Sequence, residues 1–224
     1  MKSALSEIEF IAELGACWNG DYFLLDMLVR ECKELGFDAV KFQSFDSDHY
    51  LRHPEFPRLP LCSVTDHNIP TIDAICNHHG MEWFSMPTKD YFVPILDPYV
   101  KRFKVRFKDR FNIHVLEAIR KTHKPYFVST DMHRNINDEN KHDLYCIPNY
   151  PTKYTDIDFI KLSKCYGYSN HCKDFRAIIN AIESGSKMIE IHITPTHAVK
   201  TIDDSVSFDP LELTRLFEMI KINA

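Results

Sequence analysis

The fold this sequence predicts is an α/β, single-domain (β/α)8 TIM barrel with its fifth helix reduced, and three observations predict it. Strand-like apolar runs and helix-like stretches alternate about eight times along the chain, a pattern that implies right-handed parallel crossovers closing on themselves. The chain has 224 residues, which suits one barrel of the roughly 200–250 residue kind. Polar residues recur at the C-terminal end of nearly every run, where a parallel barrel builds its site. Residues 1–224 read as one domain, with no linker or low-complexity tract.

Each element follows from local pattern. Glu9–Leu14 is the first strand, stopped by Gly15. Asp21 caps a helix through Leu24, Leu25, Met27, Leu28 and Cys32, which Gly36 ends. Asp38–Gln43 is a strand with Lys41 and Gln43 on one face. The Pro-rich stretch from Ser44 to Val64 has neither period and reads as a binding loop. A helix near Asn68–His79 leads to the strand Glu82–Met86, ended by Pro87. Tyr99–Val105 is a strand, Asn112–Thr122 a helix and Pro125–Thr130 a strand. Residues 135–140 are poor in helix formers, so the fifth helix is expected to be a turn or missing. Leu144–Ile147 is the next strand, followed by a helix near Asp156–Lys164, a strand from Tyr166 and a helix near Asp174–Ser184. In Met188–Thr194 every second residue is polar, which puts Glu190, His192 and Thr194 on one face. A helix from about Pro210 to Lys221 closes the series.

Composition excludes several classes. A net charge of -5 gives no global field for nucleic acid or anionic membrane. No apolar run approaches the roughly 20 residues that span a bilayer, and the N-terminus shows no signal-peptide core. The seven cysteines are odd in number, scattered and free of any Cys-x-x-Cys. That is the usage of reduced cytoplasmic thiols. No GxGxxG or GxxxxGK[ST] follows a strand, which argues against nucleotide-binding open sheets.

The strand ends carry Glu13, Lys41, Gln43, Ser85, Lys104, Arg106, Ser129, Ser169, His171, Glu190 and His192. Lysine is almost never buried unpaired, so Lys41 and Lys104 call for an anion. An ion pair with Glu13 or Glu190 is the competing account. Two imidazoles, one on each of two successive strands, can meet at one divalent cation. Together these groups suit a metal and a phosphorylated or carboxylated substrate.

In order along the chain, Ile11-Ala12-Glu13-Leu14-Gly15, Asn19-Gly20, Asp38–Gln43, Phe103-Lys104-Val105, Lys124-Pro125 with Val128-Ser129-Thr130, Tyr150-Pro151-Thr152, Ser169-Asn170-His171 and Glu190-Ile191-His192 resemble the N-acetylneuraminate (sialic acid) synthase family. The resemblance runs from about Phe10 to Leu213. It implies a barrel that condenses phosphoenolpyruvate with an aldose such as N-acetylmannosamine, releasing phosphate. His171 and His192 match the histidines that hold Mn2+ or Mg2+. Lys41, Gln43, Lys104, Ser129 and Ser169 match phosphoenolpyruvate ligands, and Glu13 matches the acceptor-binding glutamate. Glu190 joins Glu13, Lys41 and Lys104 as a candidate catalytic group. Ser85, Arg106, Asn149, Tyr150 and Asn19 join the substrate-binding set. The metal would polarise the acceptor aldehyde, and its water would supply the hydroxide that attacks C2.

Departures from the family pattern mark where this chain differs. Its first loop reads Cys17-Trp18-Asn19-Gly20, a phosphate-binding hydroxyl is replaced at Met86, a serine at Phe107, and an asparagine at Pro148, with Asn149 shifted by one. Asn170 stands for an aspartate, while Arg106, Lys108 and Arg110 add cations. The sequence ends after the eighth helix, so the family's C-terminal antifreeze-like domain is not expected here, and a homodimer would use the barrel itself. Cys17 reads as a buried thiol rather than a ligand, and Asp203 as an exposed loop acid. Trp18 would stack on a sugar or narrow the mouth. Two other functions stay open: a divergent carbohydrate-binding or accessory barrel, and a metal-dependent sugar-phosphate lyase or isomerase using Glu13 or Glu190 as base.

Overall fold

The computed structural model of the chain describes residues 7–46, 51, 54–56, 58–133, 138–198 and 200–223. Eight parallel strands close in sequence order: β1 (Glu9–Glu13), β2 (Ala39–Ser44), β3 (Glu82–Pro87), β4 (Phe103–Val105), β5 (Tyr126–Thr130), β6 (Lys141–Tyr145), β7 (Gly167–Asn170) and β8 (Met188–His192). Closure is direct, because β1 pairs with β8 from Glu9↔Met188 to Glu13↔His192. This is the expected barrel.

The helices are α1 (Tyr22–Leu35), α2 (Arg58–Leu61), α3 (Ile69–His78), α4 (Phe92–Leu96), α5 (Ile113–Arg120), α6 (Phe159–Leu162), α7 (Phe175–Glu183) and α8 (Pro210–Asn223). Their starts are chemical. The Asp21 carboxylate accepts from the amides of Phe23 and Leu24, and Asn112, Asp158 and Asp174 cap α5, α6 and α7 in the same way. Gly36 ends α1 at φ 95°, a left-handed value that a side chain disfavours. Leu25, Leu28, Val29 and Cys32 form the buried stripe of α1 against the barrel wall.

Differences from the sequence reading are local. Strand β4 is three residues long, because residues 97–99 are instead a turn that closes α4. The stretch Ser44–Val64, read as loop, contains the one-turn α2, and its residues 47–50, 52–53 and 57 lie outside the described ones. Among the described residues no helix follows β5; residues 134–137, part of the stretch expected to lack one, lie outside the description. A groove of about 250 Å3 runs over the outer wall there, lined by Ile113, Leu116, Val128 and Asp143. Among the described residues no helix is long and apolar enough to cross a membrane. All seven cysteines are buried and free.

Candidate active site

At the C-terminal ends of the strands lies a cavity of about 410 Å3. Its floor follows from the two-residue period of the strands: Lys41, Gln43, Ser129, Ser169, Glu190 and His192 all point to the barrel axis. Strand register then alternates the charges. The Lys41 ammonium contacts the Glu13 carboxylate and stands 3.7 Å from Glu190 Oε1, while Lys104 stands 3.6 Å from Glu190 Oε2. Lys104 Nζ donates to Ser129 Oγ at 2.5 Å, and Ser169 Oγ donates to Glu190 Oε1 at 2.9 Å. Gln43 Nε2 and the Gly15 amide both donate to Glu13 Oε1, at 2.9 and 3.2 Å.

These four charged groups are buried together. Burial works to lower Lys41, but Glu13 and Glu190 outweigh it and hold it above its ordinary value. Burial dominates at Lys104 and lowers it, with Lys41 adding to the effect. Burial would raise Glu190, yet Lys104 and Lys41 pull it below the usual carboxylate range. Each lysine is ion-paired, and each faces the cavity. Glu190 is their shared counter-ion.

Above the floor the two imidazoles approach to a ring-centre distance of 5.3 Å. His171 Nδ1 lies 2.8 Å from the Ile147 carbonyl, which only accepts, so Nδ1 carries the proton and Nε2 the lone pair. Tyr150 reaches both rings, its hydroxyl 3.0 Å from His171 Nε2 and 3.4 Å from His192 Nε2. Burial, aided by the neighbouring imidazole, drives His171 down to about 3. Burial likewise drives His192 down to about 3, against the opposing pull of Glu190. Both rings are neutral at physiological pH, as metal ligands must be. The tautomer of His171 and the convergence of two Nε2 atoms fit a divalent cation.

Asp203 is a correction. Expected as an exposed loop acid, it lines the cavity with its carboxylate 3.6 Å from His192 Nδ1. Burial, with Glu13 adding to it, pushes Asp203 up to about 7. Ser85 is a second correction: it points away from the axis, is fully buried, and shares a 2.8 Å hydrogen bond with Ser44, while its neighbour Met86 faces the cavity. Asn19 is a third. It sits outside the lining and accepts from Arg58 Nη2 at 3.2 Å. Asn149 is exposed and also off the lining, its carbonyl accepting from Thr152. Tyr150 is 49% exposed, but its hydroxyl points inward.

Of the added cations, Arg106 and Lys108 line the mouth, with Arg106 paired to Asp109. Arg110 turns away and stacks 3.8 Å over the Phe107 ring. Cys17 is a buried thiol bonded to the Leu14 carbonyl at 3.5 Å, and burial raises it far above its ordinary value. Trp18 does neither of the things expected of it; it is fully buried beside Tyr22. Cys146, Leu59 and Ile202 line the cavity and were not anticipated. Cys146 had a signal, since it continues the inward series of β6. Leu59 and Ile202 arrive on loops and had none. His197, Asp209 and Glu212 gather near α8, though the Lys173 ammonium, 2.8 Å from Glu212, already fills that cluster.

Comparison with known proteins adds the following. Residues 28–223 match the NeuB family. The chain is 26% identical, over 94% of its length and 70% of the relative, to N,N'-diacetyllegionaminic acid synthase of Legionella pneumophila. It is 29% identical, over 95% of its length and 69% of the relative, to an uncharacterized protein of Methanocaldococcus jannaschii. In structure it is similar to the N-acetylneuraminic acid synthetase of Leptospira borgpetersenii, with a TM-score of 0.82 at 22% identity, covering 96% of this chain and 83% of that one.

Proposed function

The chain belongs to the NeuB family, and from that membership we propose that it condenses phosphoenolpyruvate with an N-acylated aldose, releasing phosphate and giving a nonulosonic or similar 3-deoxy-2-keto sugar acid. One observation carries the reading. Lys41, Lys104, Ser129, Ser169 and the imidazole pair all face a single cavity. Lys104 and the Ser129 hydroxyl it bonds present donors to an anion, and Lys108 and Arg106 extend the positive surface to the mouth. Glu13, oriented by Gln43 and the Gly15 amide, offers an acceptor for sugar hydroxyls.

The balance of the reaction is simple. The enol carbon of phosphoenolpyruvate bonds to the aldehyde carbon, water adds at C2, and the C2–O bond to phosphate breaks. His171 and His192 would hold Mn2+ or Mg2+, which supplies Lewis-acid polarisation of the aldehyde. The lysines disperse charge as phosphate departs, in a buried setting where such contacts act strongly. Seven buried free thiols suit a reducing compartment, so we place the reaction in the cytoplasm. A homodimer is proposed to form through the barrel.

A second reading has its own support. Met86, Phe107 and Pro148 put apolar surface where the family pattern carries hydrogen-bonding groups, all three on the cavity wall. Such a barrel would bind sugars without turnover. The test is phosphate release from phosphoenolpyruvate with Mn2+ across a panel of N-acylated aldoses. Acceptor-dependent release supports the synthase, and its absence with every acceptor would favour the binding barrel.

A further inference from the structure

We propose that Tyr150 is a displaceable stopper of the imidazole pair: its hydroxyl hydrogen-bonds both Nε2 atoms and must release them before one cation can bind both. The inference rests on reading His171 and His192 as ligands. The hydroxyl oxygen lies 3.0 Å from one Nε2 and 3.4 Å from the other. A cation sits about 2.1 Å from an imidazole nitrogen along its lone pair. On the His171 side that lone pair is already taken, since Nδ1 donates to the Ile147 carbonyl and the Tyr150 hydroxyl engages Nε2.

The bonding pattern suits a temporary occupant. One hydroxyl carries one proton, so it donates to only one ring. His171 Nδ1 is committed to the Ile147 carbonyl, so its Nε2 is the acceptor of the shorter bond. His192 Nε2 then donates to the hydroxyl oxygen, leaving its Nδ1 facing Asp203 across 3.6 Å. This relay gives both buried Nε2 atoms a hydrogen-bond partner. It also holds His192 in the wrong tautomer for binding through Nε2. Loading therefore breaks two hydrogen bonds and moves the His192 proton to Nδ1, beside the Asp203 carboxylate.

The exit is open. Tyr150 is half exposed, and its neighbours Pro148 and Asn149 are exposed as well. The backbone stays put, because the Thr152 amide donates to the His171 carbonyl at 2.8 Å and the Thr152 hydroxyl reaches the Asn149 carbonyl at 3.0 Å. The movement is thus a side-chain rotation off the His171 ring, whose centre is 4.2 Å away.

Calorimetric titration of Mn2+ into metal-stripped wild type and Tyr150→Phe tests this. The stopper predicts tighter binding by Tyr150→Phe, about tenfold for the loss of the two hydrogen bonds that loading otherwise breaks. A tyrosine that merely supported the site would weaken binding on removal, so the direction discriminates. Equal affinity, or weaker binding by Tyr150→Phe, would overturn the stopper while leaving the histidine site intact. Failure of both proteins to bind Mn2+ would overturn the ligand reading itself, and the stopper with it.

Discussion

At the scale of single residues the cavity is a set of buried charges that cancel before any substrate arrives: Lys41 and Lys104 against Glu13 and Glu190. An arriving anion must therefore recruit an ammonium already engaged, and Lys104 is the looser of the two, 3.6 Å from its carboxylate. Lys104→Gln should weaken phosphoenolpyruvate binding about tenfold to a hundredfold, the scale of hydrogen bonds to charged groups, and leave Mn2+ affinity nearly unchanged. Equal loss of both ligands would mean that the variant had collapsed the floor. Gly15 offers a finer probe. A Cβ there would come within 2.2 Å of Glu13 Oε1 and 2.5 Å of Gln43 Cγ. Gly15→Ala should therefore raise KM for both substrates, because it displaces Gln43 as well as Glu13, as steady-state kinetics in each substrate would reveal.

At the scale of elements the rim is tied together by one side chain. Arg58, on α2, donates to Asn19 of the first loop at 3.2 Å, to the Lys200 carbonyl of the last loop at 3.1 Å, and to Glu55 at 3.0 Å. The Arg58 side chain is still partly open to solvent, so Arg58→Ala should move the melting temperature by less than about 4 °C. The acceptor KM should rise several-fold as the loops carrying Ala16, Leu59 and Ile202 separate; an unchanged KM would deny the staple a function. This element also shows where sequence reading ran out. Asn19 stands in a family-like Asn-Gly pair, yet only tertiary structure tells that its partner is an arginine thirty-nine residues away. Strand parity was legible: it put Lys41 with Gln43, and Glu190 with His192, on faces that line the cavity. Ser85 failed by one residue, since its hydroxyl suggested a ligand while parity gives the inward place to Met86. Asp203 failed because a loop has no period from which to infer burial.

At the scale of the whole molecule the barrel keeps three uncharged or counter-charged titratable groups in its mouth, and its acid stability should show them. His171 and His192 titrate near 3 when folded against an ordinary 6.5. Between those values the unfolded chain binds more protons, so their contribution is complete above about pH 6.5 and is lost as pH falls toward 3. Asp203 acts the other way. Raised to about 7 from 3.8, it favours the folded state at the lower pH. Two histidines outweigh one aspartate, and the depressed Glu190 adds to their side. The melting temperature of the metal-free protein should thus fall on acidification below pH 6.5, and less so in His192→Gln. A flat profile would contradict the buried neutral imidazoles.

The central claim is that this cavity takes up phosphoenolpyruvate beside a cation held by His171 and His192. Calorimetric titration of phosphoenolpyruvate into metal-stripped protein, with and without Mn2+, tests it most directly. Binding that depends on Mn2+ and is tighter than about 1 mM, worth more than about 4 kcal/mol, is the predicted result. No binding under either condition would contradict it and leave a barrel of this family without its donor.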